Sequence, residues 1–404
     1  MRRILYTAVI LLIALLSINA QSNPYVIMIS FDGFRWDYVD RGITPHFDYI
    51  RENGVSAKSL RPCFPSKTFP NHISIITGMY PEHHGIISNG FSDPFSNKYY
   101  SMSDSNAVKD AYWYKGEAFW ETAERQGIIT ASYFWPGSEV SLSYRHPTYY
   151  KKYEHHLPYR KRVDGVINWL KLPYNERPHF ITAYFDATDT YGHKYGPDSP
   201  ETNYAIAQLD SILGYYFDRL REINLFDSTD IIVVSDHGMT NVSNDRVVNI
   251  EKILYGLNYK QNDHGPFMMI EPEGNGINEI YARLKKNEEH YRVYKREDVP
   301  EYFHFSDNPL ISKIVLIAEN GWSLETNKSI ENSKKYSDKG NHGYDNYWMD
   351  MNGIFYAVGP SFRVNYRAGT INNIDIYPLL CRIFNVLPNP FIDGRFDRIG
   401  YLLK

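Results

Sequence analysis

The run Ile231-Ile-Val-Val-Ser-Asp-His-Gly238 constrains this chain more than any other stretch. Four apolar, β-branched residues fit a short strand buried on both faces, the kind that fills parallel sheets. The run stops at Asp236 and His237, followed by a glycine that lets the chain turn. A carboxylate and an imidazole at the carboxyl end of a buried strand suit a divalent metal, zinc above all. The competing reading makes Asp236 a helix cap and His237 a loop residue.

The same pattern recurs. Tyr25-Val-Ile-Met-Ile-Ser-Phe-Asp32-Gly33 is an apolar strand that ends at an aspartate and a glycine. His179-Phe-Ile-Thr-Ala-Tyr-Phe185 is another, and it leads into Asp186-Ala-Thr-Asp189-Thr-Tyr-Gly-His193. Asp189 and His193 stand four apart, a spacing that lets both reach one ion from a turn or helix start. Helical patterns fall between the strands at Pro45–Gly54 (Phe47 and Ile50 inward), Trp113–Gly127, Val163–Leu172 and Tyr204–Ile223, with Tyr149–Tyr159 an aromatic, basic loop. This alternation predicts a doubly wound α/β fold with a mostly parallel sheet and its site at the carboxyl edge. Between Gly265 and Ile317 the elements become short, which predicts a small α+β lobe inserted at about 265–320 in a catalytic domain covering 21–404.

Arg2-Arg3 followed by an apolar run from Ile4 to about Leu16 and by Ser17-Ile-Asn-Ala20 reads as a signal peptide over 1–20. That run is too short for a comfortable membrane span, and no later stretch is long enough. The expectation is an exported monomer, periplasmic or secreted. Two cysteines, Cys63 and Cys381, are available for one disulfide after export. Asn241-Val-Ser and Asn327-Lys-Ser are sugar-acceptor sequons in a eukaryotic secretory route. A formal net charge of −4 gives no reason to expect a nucleic-acid polymer as partner.

Arg61-Pro-Cys-Phe-Pro-Ser-Lys-Thr-Phe-Pro-Asn-His72 leads into a helical stretch, Ile73–Gly78. Pro70 suits a first helical turn, which sets Thr68 and Phe69 beside unsatisfied backbone N–H groups. Such an N-terminus binds anions, and a hydroxyl there is either a simple cap or a group held against a bound phosphate. Together, Asp32, Asp189, His193, Asp236, His237 and His342 divide into two three-ligand zinc sites with Thr68 between them. Two ions about 4 Å apart clamp the attacking and leaving oxygens of an in-line displacement at phosphorus.

These segments closely resemble the nucleotide pyrophosphatase/phosphodiesterase family of the alkaline phosphatase superfamily. The matching text is Phe31-Asp-Gly33, Pro65-Ser-Lys-Thr-Phe-Pro-Asn-His72, Thr77-Gly-Met-Tyr-Pro-Glu-His-His-Gly-Ile86, Phe134-Trp-Pro-Gly137, Asp189-Thr-Tyr-Gly-His193, Asp236-His-Gly-Met239 and His342-Gly-Tyr-Asp-Asn346. The resemblance implies an alkaline phosphatase-like fold and two Zn2+ per chain. It makes Thr68 the nucleophile of a covalent nucleotidyl-threonine, with Asp32, Thr68, Asp236 and His237 on one zinc and Asp189, His193 and His342 on the other. Asn89 matches the amide that holds a non-bridging phosphate oxygen. Phe69, Tyr153 and Tyr184 fall where family members sandwich a nucleobase. The implied substrates are small nucleotides: 5′-phosphodiesters and pyrophosphates, cleaved to a 5′-monophosphate.

One departure is that Ala187-Thr188 replace the family's usual Glu-Pro before Asp189, which bears on the shape of that loop. Four alternatives stand beside this reading. Cys63-Phe-Pro-Ser-Lys67 approaches a sulfatase signature but has lysine where that motif needs arginine, and the ligand set suits zinc better than calcium. A phosphomonoesterase of this superfamily has arginine after the nucleophile, where Phe69 stands. A choline or glycerol phosphodiesterase acting on lipid-derived diesters would use aromatics too, but benefits from carboxylates around the cation. A binding protein that has lost catalysis would lack a ligand or nucleophile, and none is missing.

Overall fold

The computed structural model describes residues 23–333 and 338–404, so the leader read at 1–20 lies outside the described residues. Eight strands form the main sheet: β1 (Tyr25–Phe31), β2 (Val55–Arg61), β3 (Thr130–Tyr133), β4 (Tyr149–Lys151), β5 (Phe180–Phe185), β6 (Thr229–Val234), β7 (Phe355–Val358) and β8 (Tyr366–Asn372). Their order is β8-β2-β7-β6-β1-β5-β3-β4. Strand β7 runs antiparallel to β2 and β6, and every other pairing is parallel.

The helices that matter below are α1 (Pro45–Asn53), α2 (Thr68–Thr77), α3 (Phe119–Glu124), α4 (Tyr159–Leu170), α5 (Ala187–Tyr195), α6 (Pro200–Glu222), α7 (Ile277–Lys286) and α8 (Ile376–Phe384). Side chains on a strand alternate between faces. Ile27, Ile29 and Phe31 of β1 therefore enter one core with Phe47 of α1, Val163 of α4 and Leu209 of α6. Val26 and Met28 enter the opposite core with Ile75 of α2, Phe119 of α3 and Leu380 of α8. Burial on both faces is why the central strands read as unbroken apolar runs.

Two local expectations change. The helix read over Trp113–Gly127 shrinks to α3, because Trp113 and Tyr114 join another apolar cluster with Phe91 and Tyr100. Glu121 then closes the new start by accepting from the Ala118 N–H at 3.1 Å. The aromatic segment after Tyr149 begins with the edge strand β4, paired to β3. Cys63 and Cys381 are buried free thiols, and Cys63 Sγ donates to Asn373 Oδ1 at 3.1 Å.

A separate antiparallel sheet has the order Tyr259–Asn262, Phe267–Pro272, Ile314–Ala318, Tyr291–Lys295. Met268, Ile270 and Leu316 on one face meet Ile280 and Leu284 of α7. Phe267, Met269 and Ile317 on the other face meet Phe64, Phe303 and Phe305. This sheet starts at Tyr259, ahead of the texture change in the sequence. Among the described residues, no helix is long and apolar enough to cross a membrane.

Helix α1 begins without a side-chain cap of its own. Asp210, from the middle of α6, caps it instead: Oδ1 accepts from the His46 and Phe47 N–H groups at 3.0 and 3.1 Å. Removing that carboxylate strands one buried and one part-buried donor, so Asp210→Ala is expected to destabilise the fold by about 1–3 kcal/mol. Urea unfolding of the purified chain measures this, and an unchanged midpoint would remove the capping role.

Candidate active site

The register of β1 between β5 and β6 assembles the site. Ser30 pairs with Val234 and Phe31 with Phe185, so Asp32 and Asp236 leave the sheet side by side. Gly33 turns the chain at φ 65°, and a Cβ there would stand 2.9 Å from the Asp189 Cα. The Gly33 N–H donates to Asp236 Oδ1 at 3.2 Å. Helix α5 starts at Ala187, and the Thr188 hydroxyl donates to the Asp32 carbonyl at 2.5 Å. The Ala-Thr departure thus keeps a helix start and adds a tie to the neighbouring strand end.

One turn of α5 brings His193 Nε2 to 3.4 Å from Asp189 Oδ1. His342 follows the short strand Gly340–Asn341, which pairs with Thr240–Asn241. Its Nε2 lies 3.5 Å from the same Asp189 oxygen. His237 Nε2 lies 3.1 Å from Asp236 Oδ2, 3.3 Å from Asp32 Oδ1 and 3.3 Å from Thr68 Oγ1. All six acidic and imidazole residues named from the sequence therefore converge, together with Thr68.

Each imidazole is held by a backbone carbonyl at Nδ1: His237 by Gly238 at 2.8 Å, His193 by Gly340 at 2.9 Å and His342 by Ser66 at 2.8 Å. A carbonyl only accepts, so Nδ1 carries the proton and Nε2 offers its lone pair. That is the orientation metal-binding histidines adopt. Asp32 Oδ1, Asp189 Oδ1 and Asp236 Oδ2 are buried without a hydrogen-bond donor. Buried carboxylate oxygens lacking donors, facing imidazole lone pairs, fit a zinc-class cation in donor type and charge.

The compact groupings are Asp32-Asp236-His237 and Asp189-His237-His342, with ligand atoms within 4.8 Å of one another. His237 stands in both, and its ring stacks on His342 with centroids 3.4 Å apart. His193 touches Asp189 alone among the carboxylates at the strand ends.

The electrostatics record the same crowding. Burial, with the Asp236 and Asp189 charges beside it, pushes Asp32 well above the usual carboxylate range. Burial acts on Asp236 in the same sense, but His237 and His72 outweigh it and bring the carboxyl to about 2. For His193 burial opposes the charged form, yet Asp189 prevails and raises it to about 9, so a cation taking its Nε2 lone pair would displace a proton. Burial and the His237 charge drive His342 well below its ordinary value.

Thr68 is the first residue of α2 and lines a cleft of about 460 Å³ with Lys67, Asn89, Asp263 and His342. Asn89 Oδ1 accepts the Phe69 N–H at 3.0 Å, which leaves the amide NH2 as its free function. Phe69 is half-buried and meets Tyr100 edge-on at 6.3 Å. Tyr153 is 47% exposed and rests edge-on against Phe134 and Tyr184. Tyr184 is buried and donates its hydroxyl to Asp32 Oδ2, so its polar tip serves the carboxylate cluster.

Three contributors escaped the sequence reading. His72, fully buried, bonds Ser30 Oγ at 2.8 Å and the Thr68 carbonyl at 2.8 Å, and lies 3.4 Å from Asp236 Oδ2. Lys67 is paired with Asp263. The Tyr184 hydroxyl is the third. His72 and Lys67 sit in the threonine motif and were visible as text, whereas Asp263 carries no local signal.

The chain matches the family model described as type I phosphodiesterase / nucleotide pyrophosphatase over residues 26–345. Human ectonucleotide pyrophosphatase/phosphodiesterase family member 5 is 37% identical over 381 residues, 94% of this chain and 78% of that protein. Bis(5′-adenosyl)-triphosphatase of Xenopus laevis is 35% identical over 370 residues, 91% of this chain and 79% of that one. Murine ectonucleotide pyrophosphatase/phosphodiesterase 5, solved in an inactive form in complex with AMP, aligns at a TM-score of 0.89 with 35% sequence identity. That alignment covers 94% of this chain and 100% of the murine one. By sequence and by its alkaline phosphatase-like fold, this chain belongs to the nucleotide pyrophosphatase/phosphodiesterase family.

Proposed function

We infer that the chain hydrolyses nucleotide 5′-phosphodiester and pyrophosphate bonds and releases a nucleoside 5′-monophosphate. The observation that carries this is Thr68 Oγ1 at a helix N-terminus, 3.3 Å from His237 and beside three buried carboxylates that lack donors. Asp32, Asp236 and His237 with Thr68 would hold one zinc, and Asp189, His193 and His342 the other. When bound, such ions lower the pKa of a coordinated hydroxyl and stabilise charge on phosphoryl oxygens.

The chain's own residues do the rest. Thr68 Oγ1 attacks phosphorus, the leaving alcohol or phosphate departs, and water then cleaves the nucleotidyl-threonine ester. Pro70 has no N–H and Asn89 Oδ1 takes that of Phe69, so the Thr68 N–H and the Asn89 amide NH2 are the donors left for a non-bridging oxygen. His72, bonded to the Thr68 carbonyl, and Ser66, bonded to the loop of His342, fix the nucleophile against the cluster.

Phe69 follows the nucleophile where a monoesterase of this superfamily needs a cation, which favours an ester with a flat substituent. Ala187 is buried, so it supplies no carboxylate for a choline head group. The murine relative's complex with AMP is consistent with a nucleotide substrate. Phe69 and Tyr153 offer the stacking faces, with Tyr184 supporting Tyr153 edge-on. Export of this chain is part of the same reading, supported by the leader-like text at 1–20.

Thr68→Ala is expected to cost several orders of magnitude in turnover while bound metal stays largely unchanged. A variant within about tenfold of the parent, roughly 1.4 kcal/mol, would exclude Thr68 as nucleophile. Elemental analysis of the parent should find about two zinc ions per chain. Chelation should lower its melting temperature, because a ligand bound only by the folded state stabilises it. Active protein free of transition metal would sink the two-ion assignment. For substrate class, kcat/KM is compared for a thymidine 5′-monophosphate nitrophenyl ester, nitrophenyl phosphate and glycerophosphocholine. The first should be preferred, and Phe69→Ala should weaken it roughly 5- to 150-fold, the equivalent of one base stack. A parent that preferred the monoester or the choline ester would overturn the nucleotide assignment.

A further inference from the structure

We propose that Asp263, delivered by the turn between the first two strands of the small sheet, is a positioning residue that registers Asn89 against the nucleophile. The proposal rests on the functional reading above. Asp263 Oδ1 pairs with Lys67 Nζ at 2.5 Å, and Oδ2 accepts the Ser88 hydroxyl. Lys67 immediately precedes Thr68, and Ser88 immediately precedes Asn89. One carboxylate therefore bridges the two segments that supply the attacking hydroxyl and the oxyanion-binding amide.

The bridge is buried and built. The side chains of Lys67 and Asp263 are 10% and 9% exposed, which makes their pairing stiffer and less screened than a surface ion pair. Asp263 holds a left-handed backbone, φ 62°, a conformation that aspartate adopts more readily than most side chains. Gln261 Nε2 donates to the Asp263 carbonyl at 2.8 Å and fixes that turn. The residue before it repeats the attachment: Asn262 Oδ1 accepts the Ser92 N–H at 2.9 Å. Asn262 and Asp263 thus grip the chain on both sides of Asn89.

Asn89 itself touches the nucleophile's helix through one hydrogen bond, to the Phe69 N–H. Its backbone carbonyl accepts the Met102 N–H at 2.9 Å, which ties it to its own hairpin but does not fix that hairpin against the nucleophile's helix. Displacement of about 1 Å in a catalytic donor costs up to roughly 100-fold in rate. The Asp263 bridge removes that freedom without contacting the phosphate. It also makes the small sheet a working part of the site.

The test uses the full metal-loaded chain and the thymidine 5′-monophosphate nitrophenyl ester. Asp263→Gly keeps the left-handed turn and deletes the carboxylate, while Asp263→Asn keeps its shape and deletes its charge. Both should lower kcat roughly 10- to 100-fold, with KM within about threefold, zinc content unchanged, and a cooperative thermal transition kept at a lower midpoint because Lys67 and Ser88 lose a buried partner. In an Asn89→Ala background the same Asp263→Gly change should cost less than about threefold, because the residue it positions is gone. Equal fold losses in both backgrounds, or single variants within about twofold of the parent, would overturn the proposal. Loss of metal or of a cooperative thermal transition in both single variants would also overturn it, by making the contact structural. Failure of the functional reading is distinguishable: there Thr68→Ala keeps its activity, whereas here it stays inactive and only the Asp263 effects vanish.

Discussion

Three carboxylates with no hydrogen-bond donor for one oxygen each, two just past the ends of adjacent parallel strands and one on the first turn of α5, are the constraint to which the rest of this structure answers. Buried like charges repel and cannot be screened by water, so an apolar sheet would not place them together on stability grounds. The protein supplies a dense frame to hold them: Gly33 for close approach to Asp189, Thr188 on the Asp32 carbonyl, Tyr184 on Asp32, and carbonyls at His193, His237 and His342. Each of these contacts fixes direction and none supplies a positive charge of its own. The missing charge is what a divalent cation brings.

The segment that presents Thr68 is fixed with equal care. Asn71 is fully buried and uses its whole amide on this turn. Its Oδ1 accepts from the Cys63 N–H and from Asn373, and its Nδ2 donates to the Pro65 and Lys67 carbonyls. Four short hydrogen bonds on one side chain leave the loop little alternative conformation. Phe64, in the same loop, is clamped by the aromatic rings of Phe267, Phe303 and Phe305. Thr68 therefore starts its helix from a turn held by polar contacts below and aromatic ones above.

Much of this was legible in the chain. The strands that end at Asp32, Asp186 and Asp236 are continuous apolar runs because both faces of the sheet are covered, and the positions of their terminal residues follow from parallel pairing. Asp189 and His193 were legible as an i, i+4 pair on a helix. The closeness of His237 to both clusters was not, because its reach to both Asp32 and His342 depends on loops that pair only in the folded state. Helix α3 was over-read for a related reason: Trp113 has the spacing of a helix but packs with Phe91 and Tyr100 from a different part of the chain. The burial of Tyr184 follows from strand register, which decides which face of β5 a side chain takes.

Asp263 shows where local text fails altogether. It sits in Gln261-Asn-Asp-His-Gly265, a sequence that reads as an ordinary turn, and asparagine or aspartate in a left-handed turn is commonplace. Its meaning comes from two contacts about 175 and 196 residues away in sequence, at Ser88 and Lys67. The aromatic face of the small sheet against Phe64 supplies the rigidity that lets one turn bridge both segments. A sheet joined to the Thr68 loop by apolar burial and an ion pair, and to the Asn89 loop by hydrogen bonds, couples two groups that no single element of the main sheet carries. The division of labour follows: the parallel strands bring the carboxylates together, and the small sheet sets the distance between the hydroxyl and the amide.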